Sequence, residues 1–422
     1  MTIQVISNSA GDKLGIPDFF MVRQPILDRH QDAFAFELAF YPADSKPTSG
    51  GECVTAAILA HCVALDIPKV VGDLRGLVNI DSHVLMSDVL QHMPRTRFLF
   101  CLDDSTAATA PVLQRLAELN EQGFMFALHE AMADAVSLQK LMPLVEVVRF
   151  DLRKRTLEQL AQLTAQPQFA NKRLLIENVD TLAQFDACLA LGFNSFHGYY
   201  FTRPAIDPER PLLPSQLAII DLISLISGDA DSAEIEGCIK RDVALGLNLL
   251  RLVNTAAVGT HRIDSLRQAL MVLGRKQLAN WLQLMLYAQA RENAPSVKPL
   301  LMLATARGKL LELIAQRQRP GNHSIADAAF TVGIMSLMDA LFGLPMAEIL
   351  KQIAVAEEVC DALLARQGYY GDLLVLVEAI EHEDVVALLP MLDKFHLDSG
   401  DLFLLQTEAY GWSNKVARAM HQ

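Results

Sequence analysis

The sequence predicts an α/β plus all-α chain, a (β/α) barrel of the TIM type followed by a helical domain. Three observations carry this reading: an opening hairpin, a regular alternation of short apolar runs with helical patterns, and a change of composition beyond a proline-rich stretch. The hairpin is Phe19 to Phe40, FFMVRQPILDRHQDAFAFELAF, with a polar turn from Asp28 to Asp32 and a second run of period-2 alternation. Phe34, Phe36, Leu38 and Phe40 are expected on one face, which calls for a core. Ala33, Ala35, Glu37 and Ala39 are expected on the other, a floor of small residues carrying one carboxylate. That floor suits a cavity in which Glu37 meets a cation or polar ligand, or an edge strand with Glu37 in water.

A Pro/Gly/Ser loop follows at 42–51, and the alternation then begins. Strand-like runs occur at Leu77–Ile80, Phe98–Leu102, Phe124–Leu128, Val145–Phe150, Leu174–Ile176 and Ser195–Phe196. Helical patterns lie near 53–65, 83–92, 106–121, 134–142, 154–164 and 181–191. Short apolar strands alternating with helices imply a parallel sheet covered by helices. This many units after a hairpin suits a closed barrel of about 200 residues better than an open sheet. The residues that follow the strands are Asn79, Cys101, His129 with Glu130, Asp151, Glu177 and His197. One such residue is explained as a helix cap. Six in succession, with Glu37 added, point to a site at the C-terminal face of the barrel.

Pro204, Pro208, Pro211 and Pro214 mark a linker, and residues 216–422 read as helix almost throughout. The expected domains are 1–205 and 206–422. In the second, Val243, Leu247, Leu250 and Asn254 form a helical stripe, with a break at Gly259-Thr260-His261 and a new helix from Ser265. Further helices are expected at 297–317, 325–341, 345–364, 370–380, 383–390, 400–408 and 412–420, an all-α bundle.

Composition narrows the function. The chain is 422 residues long, 51% hydrophobic and 20% charged, with a net charge of −13. Residues 1–205 carry 17 Lys+Arg against 23 Asp+Glu and the remainder 19 against 26, so neither half is a basic surface for nucleic acid. The N-terminus lacks the pattern of a signal peptide, and no uninterrupted apolar run reaches membrane-span length. Six scattered cysteines without a CxxC pair fit reduced thiols in a cytoplasmic protein.

The motifs carry a resemblance. QPILD (24–28), FELAF (36–40), LVNID (77–81), VRFD (148–151), LLIENVD (174–180) and HGYYFTRP (197–204) resemble, in order, the EAL domain that hydrolyses cyclic di-GMP in bacterial signalling. RDVALGLNLLRLVNTA (241–256) and SLRQALMVLG (265–274) resemble an HDOD domain, a relative of the HD hydrolases without their metal site. The chain is thus similar to the two-domain EAL–HDOD family over nearly its whole length. The resemblance implies a two-metal phosphodiesterase site in an active member, with Mg²⁺ or Mn²⁺ held by carboxylates and one asparagine. Carried over, it matches Glu37, Asn79, Asp151 and Glu177 to retained site positions.

The departures from the family pattern are chemical. Cys101 stands where a metal-binding glutamate is expected, and His129 with Glu130 replaces a pair of aspartates. Arg149 replaces the lysine that orients water, His197 a glutamine, and Tyr41 the arginine that grips phosphate. A soft thiol and an imidazole are poor exchanges for hard oxygen donors, and guanidinium is a poor exchange for a compact ammonium. No catalytic set is therefore expected to be intact, and no metal or cofactor is expected, with Mg or Mn as the alternative for an active enzyme. A Zn²⁺ site at Cys101 and His129 is a weaker alternative. Cyclic di-GMP remains a candidate ligand, with Gln24, Glu37 and Arg149 as binding residues and Arg149 as replacement phosphate charge. In the helical half, Ser336 and Leu337 fall where an HD hydrolase has His and Asp. His323 and Asp327 are four residues apart, which suits capping or surface roles better than metal binding. Protein partners through the HDOD domain are expected, with a homodimer as a further candidate, and no membrane or nucleic acid. The function expected is non-catalytic signal transduction, with a cyclic di-GMP phosphodiesterase or a non-hydrolysing receptor as alternatives.

Overall fold

The computed structural model describes residues 19–42, 58–59, 65–131, 135–203, 214–227, 231, 234–235, 266–289, 297–351, 353 and 355–419. The expectations for 241–256, for the break at 259–261, for the proline linker and for most of 53–65 lie outside the described residues. Two compact units result: 1–200 with 396–407, and 201–395 with 408–422. The last helix thus contributes its opening residues to the first unit and its remainder to the second, a division that sequence periodicity did not suggest.

The first unit is a closed barrel of eight strands in sequence order. These are β1 (Phe19–Asp28), β2 (Ala33–Pro42), β3 (Arg75–Ile80), β4 (Phe98–Leu102), β5 (Met125–His129), β6 (Val147–Asp151), β7 (Arg173–Glu177) and β8 (Ser195–His197). β1 runs antiparallel to both β2 and β8, and the other neighbours are parallel. Around them lie α1 (Ile67–Val71), α2 (Ser82–Met86), α3 (Ala110–Glu121), α4 (Ala135–Leu141), α5 (Leu157–Thr164) and α6 (Leu182–Ala190). Asp81 caps α2 through Val84 N–H at 2.7 Å, and capping boxes at Thr156/Gln159 and Thr181/Gln184 start α5 and α6.

The barrel interior is packed by Ile26, Ala35, Leu77, Leu99, Cys101, Ala127, Val147 and Leu175. The alanine face of the hairpin therefore lines the lumen, while Phe36, Leu38 and Phe40 are buried on the outside of the strand. Phe34 departs from the expected face. The β1–β2 register slips there, Ile26 opposing Ala35 and Leu27 opposing Ala33, and this bulge turns Phe34 against the interior set. The Arg173 guanidinium lies 4.0 Å from its ring centroid.

Described helices of the second unit are α7 (Pro214–Ser227), α8 (Leu266–Gln289), α9 (Val297–Gln318), α10 (His323–Met335), α11 (Met338–Phe342), α12 (Met346–Leu350), α13 (Glu357–Ala365), α14 (Gly368–Glu381) and α15 (Val385–Lys394). α16 (Ser399–Ala419) follows. The single helices expected at 325–341 and 345–364 are each divided in two. Those expected at 400–408 and 412–420 are one, continuing through Gly411. Within the first unit α16 meets β1: Phe403 lies 5.1 Å from Phe19 and Gln406 Nε2 donates to Met21 O at 2.9 Å. Within the second, Trp412 packs on Trp281 and Phe330, and the Ser413 and Thr305 hydroxyls are 2.7 Å apart.

The stretch 323–342, interrupted by Asp327 and Asp339, reaches the length and mean hydropathy of a membrane span, and 72% of its most apolar window is buried. α9 and α10 cross backbone to backbone. A Cβ on Gly333 would lie 2.5 Å from Gly308 Cα, so only glycine permits the approach. Gly333→Ala is expected to destabilise the helical unit by about 1–3 kcal/mol, measured by denaturant unfolding.

Candidate functional site at the barrel mouth

Side chains two residues beyond the interior set, toward the C-terminal ends of β2 to β8, are Glu37, Asn79, Cys101, His129, Arg149, Glu177 and His197. Period-2 alternation therefore delivers the sequence-predicted residues to the lumen as one storey. Gln24 lies opposite Glu37 in the β1–β2 ladder. His197 is set by the next residue. Gly198 has φ +138°, and a Cβ there would lie 2.2 Å from Val179 O, so the chain turns tightly under the Val179 N–H to His197 O bond of 3.0 Å.

Arg149 is the centre. Its side chain is 3% exposed. Nη2 donates to Glu37 Oε1 and Oε2, both at 2.8 Å, Nη1 donates to Asn79 Oδ1 at 2.9 Å, and Nε donates to Glu177 Oε1. Four strands, β2, β3, β6 and β7, are tied through one guanidinium. Asn79 Nδ2 also donates to Glu37 Oε1 at 3.4 Å. His197 Nε2, a buried atom without a hydrogen-bond partner, stands 3.5 Å from Glu37 Oε2.

The electrostatics follow from burial and pairing. Burial alone raises the Glu37 carboxyl, but Arg149, with His197 and His129, overrides it and holds the pKa down at about 2. Burial opposes the charge on Arg149, and Glu177 and Glu37 outweigh it, so its pKa is raised well above the usual value. Burial pushes the Cys101 thiol up to about 12 despite Arg149, which keeps it neutral. Cys101 is fully buried among the interior apolar side chains and serves as a small hydrophobe.

Two sequence-predicted residues are held apart from this cluster. Glu130 is bound by Arg155, at 2.9 and 3.3 Å. Asp151 accepts from Asn178 Nδ2 at 2.8 Å and from Arg153 N at 2.9 Å, and these bonds hold its carboxyl below the usual range against the upward push of burial. Arg149 is not offered outward as phosphate charge, because its donors are spent on Glu37, Asn79 and Glu177. The structure thus pairs inward a residue that the sequence offered for ligand binding. No local pattern signals that pairing, since Glu37 lies 112 residues from Arg149.

The family's divalent ions do not fit these residues. The oxygen donors of Glu37, Asn79 and Glu177 converge on a fixed cation, and an added ion would share the space with a buried positive charge. Among the described residues no three His, Cys, Asp or Glu groups are placed to hold a metal ion, which also counts against the Zn²⁺ alternative at Cys101 and His129. In the helical half, Ser336 accepts from Arg307 Nη1 at 2.9 Å, and Arg307 makes a two-pronged pair with Glu381 at 2.9 and 2.6 Å. His323 is exposed at the start of α10, where Asn322 provides the cap.

Comparison with known proteins agrees with this architecture. Residues 211–359 match the HDOD domain model. Cyclic di-GMP phosphodiesterase CdgJ of Vibrio cholerae is 25% identical over 94% of this chain and 93% of its own length. The uncharacterized protein YuxH of Bacillus subtilis is 24% identical over 95% of this chain and 99% of its own. A solved EAL domain protein from Listeria monocytogenes EGD-e aligns at 15% identity over 48% of this chain and 94% of that one, with a TM-score of 0.38. An eight-stranded barrel with an antiparallel first strand precedes the region that matches the HDOD model. The match at 211–359 and the two full-length relatives agree with the resemblance to the two-domain EAL–HDOD family.

Two measurements check the cluster. The depression of Glu37 from 4.5 to about 2 corresponds to about 3 kcal/mol. The folded pKa lies below the unfolded one, so this stability is present above pH 4.5 and lost as pH falls toward 2. Denaturant unfolding is expected to show wild type ahead of Glu37→Gln at pH 7, with the gap closing over that window. Arg149→Met, which leaves two carboxylates buried side by side, is expected to cost about 3–5 kcal/mol at pH 7 by the same method.

Proposed function

We propose that this chain is a non-catalytic signal-transduction or scaffold protein. Its degenerate EAL barrel does not hydrolyse cyclic di-GMP, and its HDOD domain engages protein partners in the cytoplasm. The observation that carries this reading is the seating of Arg149 on Glu37, Asn79 and Glu177.

Two-metal hydrolysis needs oxygen donors that face the ions, because the ions activate water and stabilise the developing phosphate charge. Here three such donors face a guanidinium, the thiol at Cys101 is neutral, and Glu130 is taken by Arg155. Losses within a catalytic unit are not rescued by the members that remain. The rival reading, an active phosphodiesterase, has the name of the Vibrio cholerae relative in its favour. At 25% identity that relative's mouth residues are free to differ from these.

The test is turnover. Purified full-length protein with cyclic di-GMP and Mn²⁺ or Mg²⁺ is expected to release no linear pGpG. Turnover that Glu37→Ala abolishes would overturn the reading in favour of the enzyme.

A further inference from the structure

The mouth of the barrel already contains a cation, and it is part of the chain. Two carboxylates and an amide oxygen, from β2, β3 and β7, converge on the Arg149 guanidinium, with 2.8 Å and 2.9 Å contacts to Glu37 and Asn79. The imidazole Nε2 of His197 stands beside Glu37 with no hydrogen-bond partner of its own. Carboxylate and amide oxygens are the donor type that a hard divalent ion such as Mn²⁺ takes, and here the guanidinium occupies them. The charges point the same way. Glu37 and Glu177 carry two negative charges against one positive, a balance that a divalent ion would bring to zero.

We infer that Arg149 is an internal substitute for a divalent metal, and that the oxygen cage it fills is intact around it. The guanidinium ties the strands as an ion would, and it excludes the ion by occupying the same donors. A chain deprived of the guanidinium therefore takes Mn²⁺ between Glu37 and Glu177. This rests on the reading above that the wild-type mouth holds no working metal pair.

The experiment is Mn²⁺ binding followed by electron paramagnetic resonance, in which a bound ion loses the sharp signal of the hydrated one. Full-length wild type, Arg149→Ala, Arg149→Gln and the triple variant Arg149→Ala/Glu37→Gln/Glu177→Gln are compared. Both single variants are expected to gain one Mn²⁺ site, at least about tenfold tighter than any in wild type, and the triple variant to lose it. Equal binding by wild type and the single variants overturns the inference. Variants that are unfolded without metal but regain helical circular dichroism with Mn²⁺ support it. Variants unfolded with and without Mn²⁺ overturn it, because divalent charge then does not replace the guanidinium. No Mn²⁺ gain in the variants, with no pGpG from wild type, sinks this inference and leaves the proposed function standing. Turnover by wild type overturns both, because a mouth from which Arg149 excludes the ion has no metal to run the hydrolysis.

Discussion

A guanidinium cannot be 3% exposed inside a barrel unless its charge and its donors are matched. At the mouth of this barrel the match comes from Glu37, Asn79 and Glu177, and the rest of the site follows from it. Glu37 stays ionised because the cation is there, the cation stays charged against its burial because of the carboxylates around it, and the neighbouring thiol is left neutral by its burial. Such clusters are weak contributors to net stability but costly to break, since any member left alone is a buried charge without a partner. The four strands joined through Arg149 are therefore held in one register by an all-or-none contact.

The helical unit repeats the device. Arg307 is buried against Glu381 and Ser336, and Arg366 pairs with Glu378 beside it. Ser336 stands at the position where the resemblance to HD hydrolases expects a histidine. Asp339, three residues on, has its pKa raised by burial. Each unit thus holds a buried arginine paired with carboxylates. Met335 and Met338 are buried in the helical unit as core residues.

Much of the barrel was legible in the sequence because β-strands announce themselves by composition and period. Six strand-like runs after the hairpin became six strands within a few residues, and the polar residue at each strand end pointed to the mouth. Phe34 was misplaced because a bulge adds a residue that no alternation pattern reveals. Helix breaks were less legible. Gly411 lies inside α16, while the division between α10 and α11 at Ser336–Leu337 has no glycine or proline to mark it. Within the site, identities were readable and partnerships were not. Arg149 read as a displaced lysine and as a phosphate handle, because nothing local shows that residues 37, 79 and 177 enclose it. Glu130 read as a degenerate position of the mouth beside His129, yet it lies just beyond the end of β5 and is bound by Arg155.

The most direct test of the central claim is anomalous diffraction at the manganese edge from wild-type crystals soaked in Mn²⁺. The account predicts no anomalous peak at the barrel mouth and guanidinium density continuous between Glu37 and Glu177. A manganese peak bridging those two carboxylates, with Arg149 swung away from them, would contradict it.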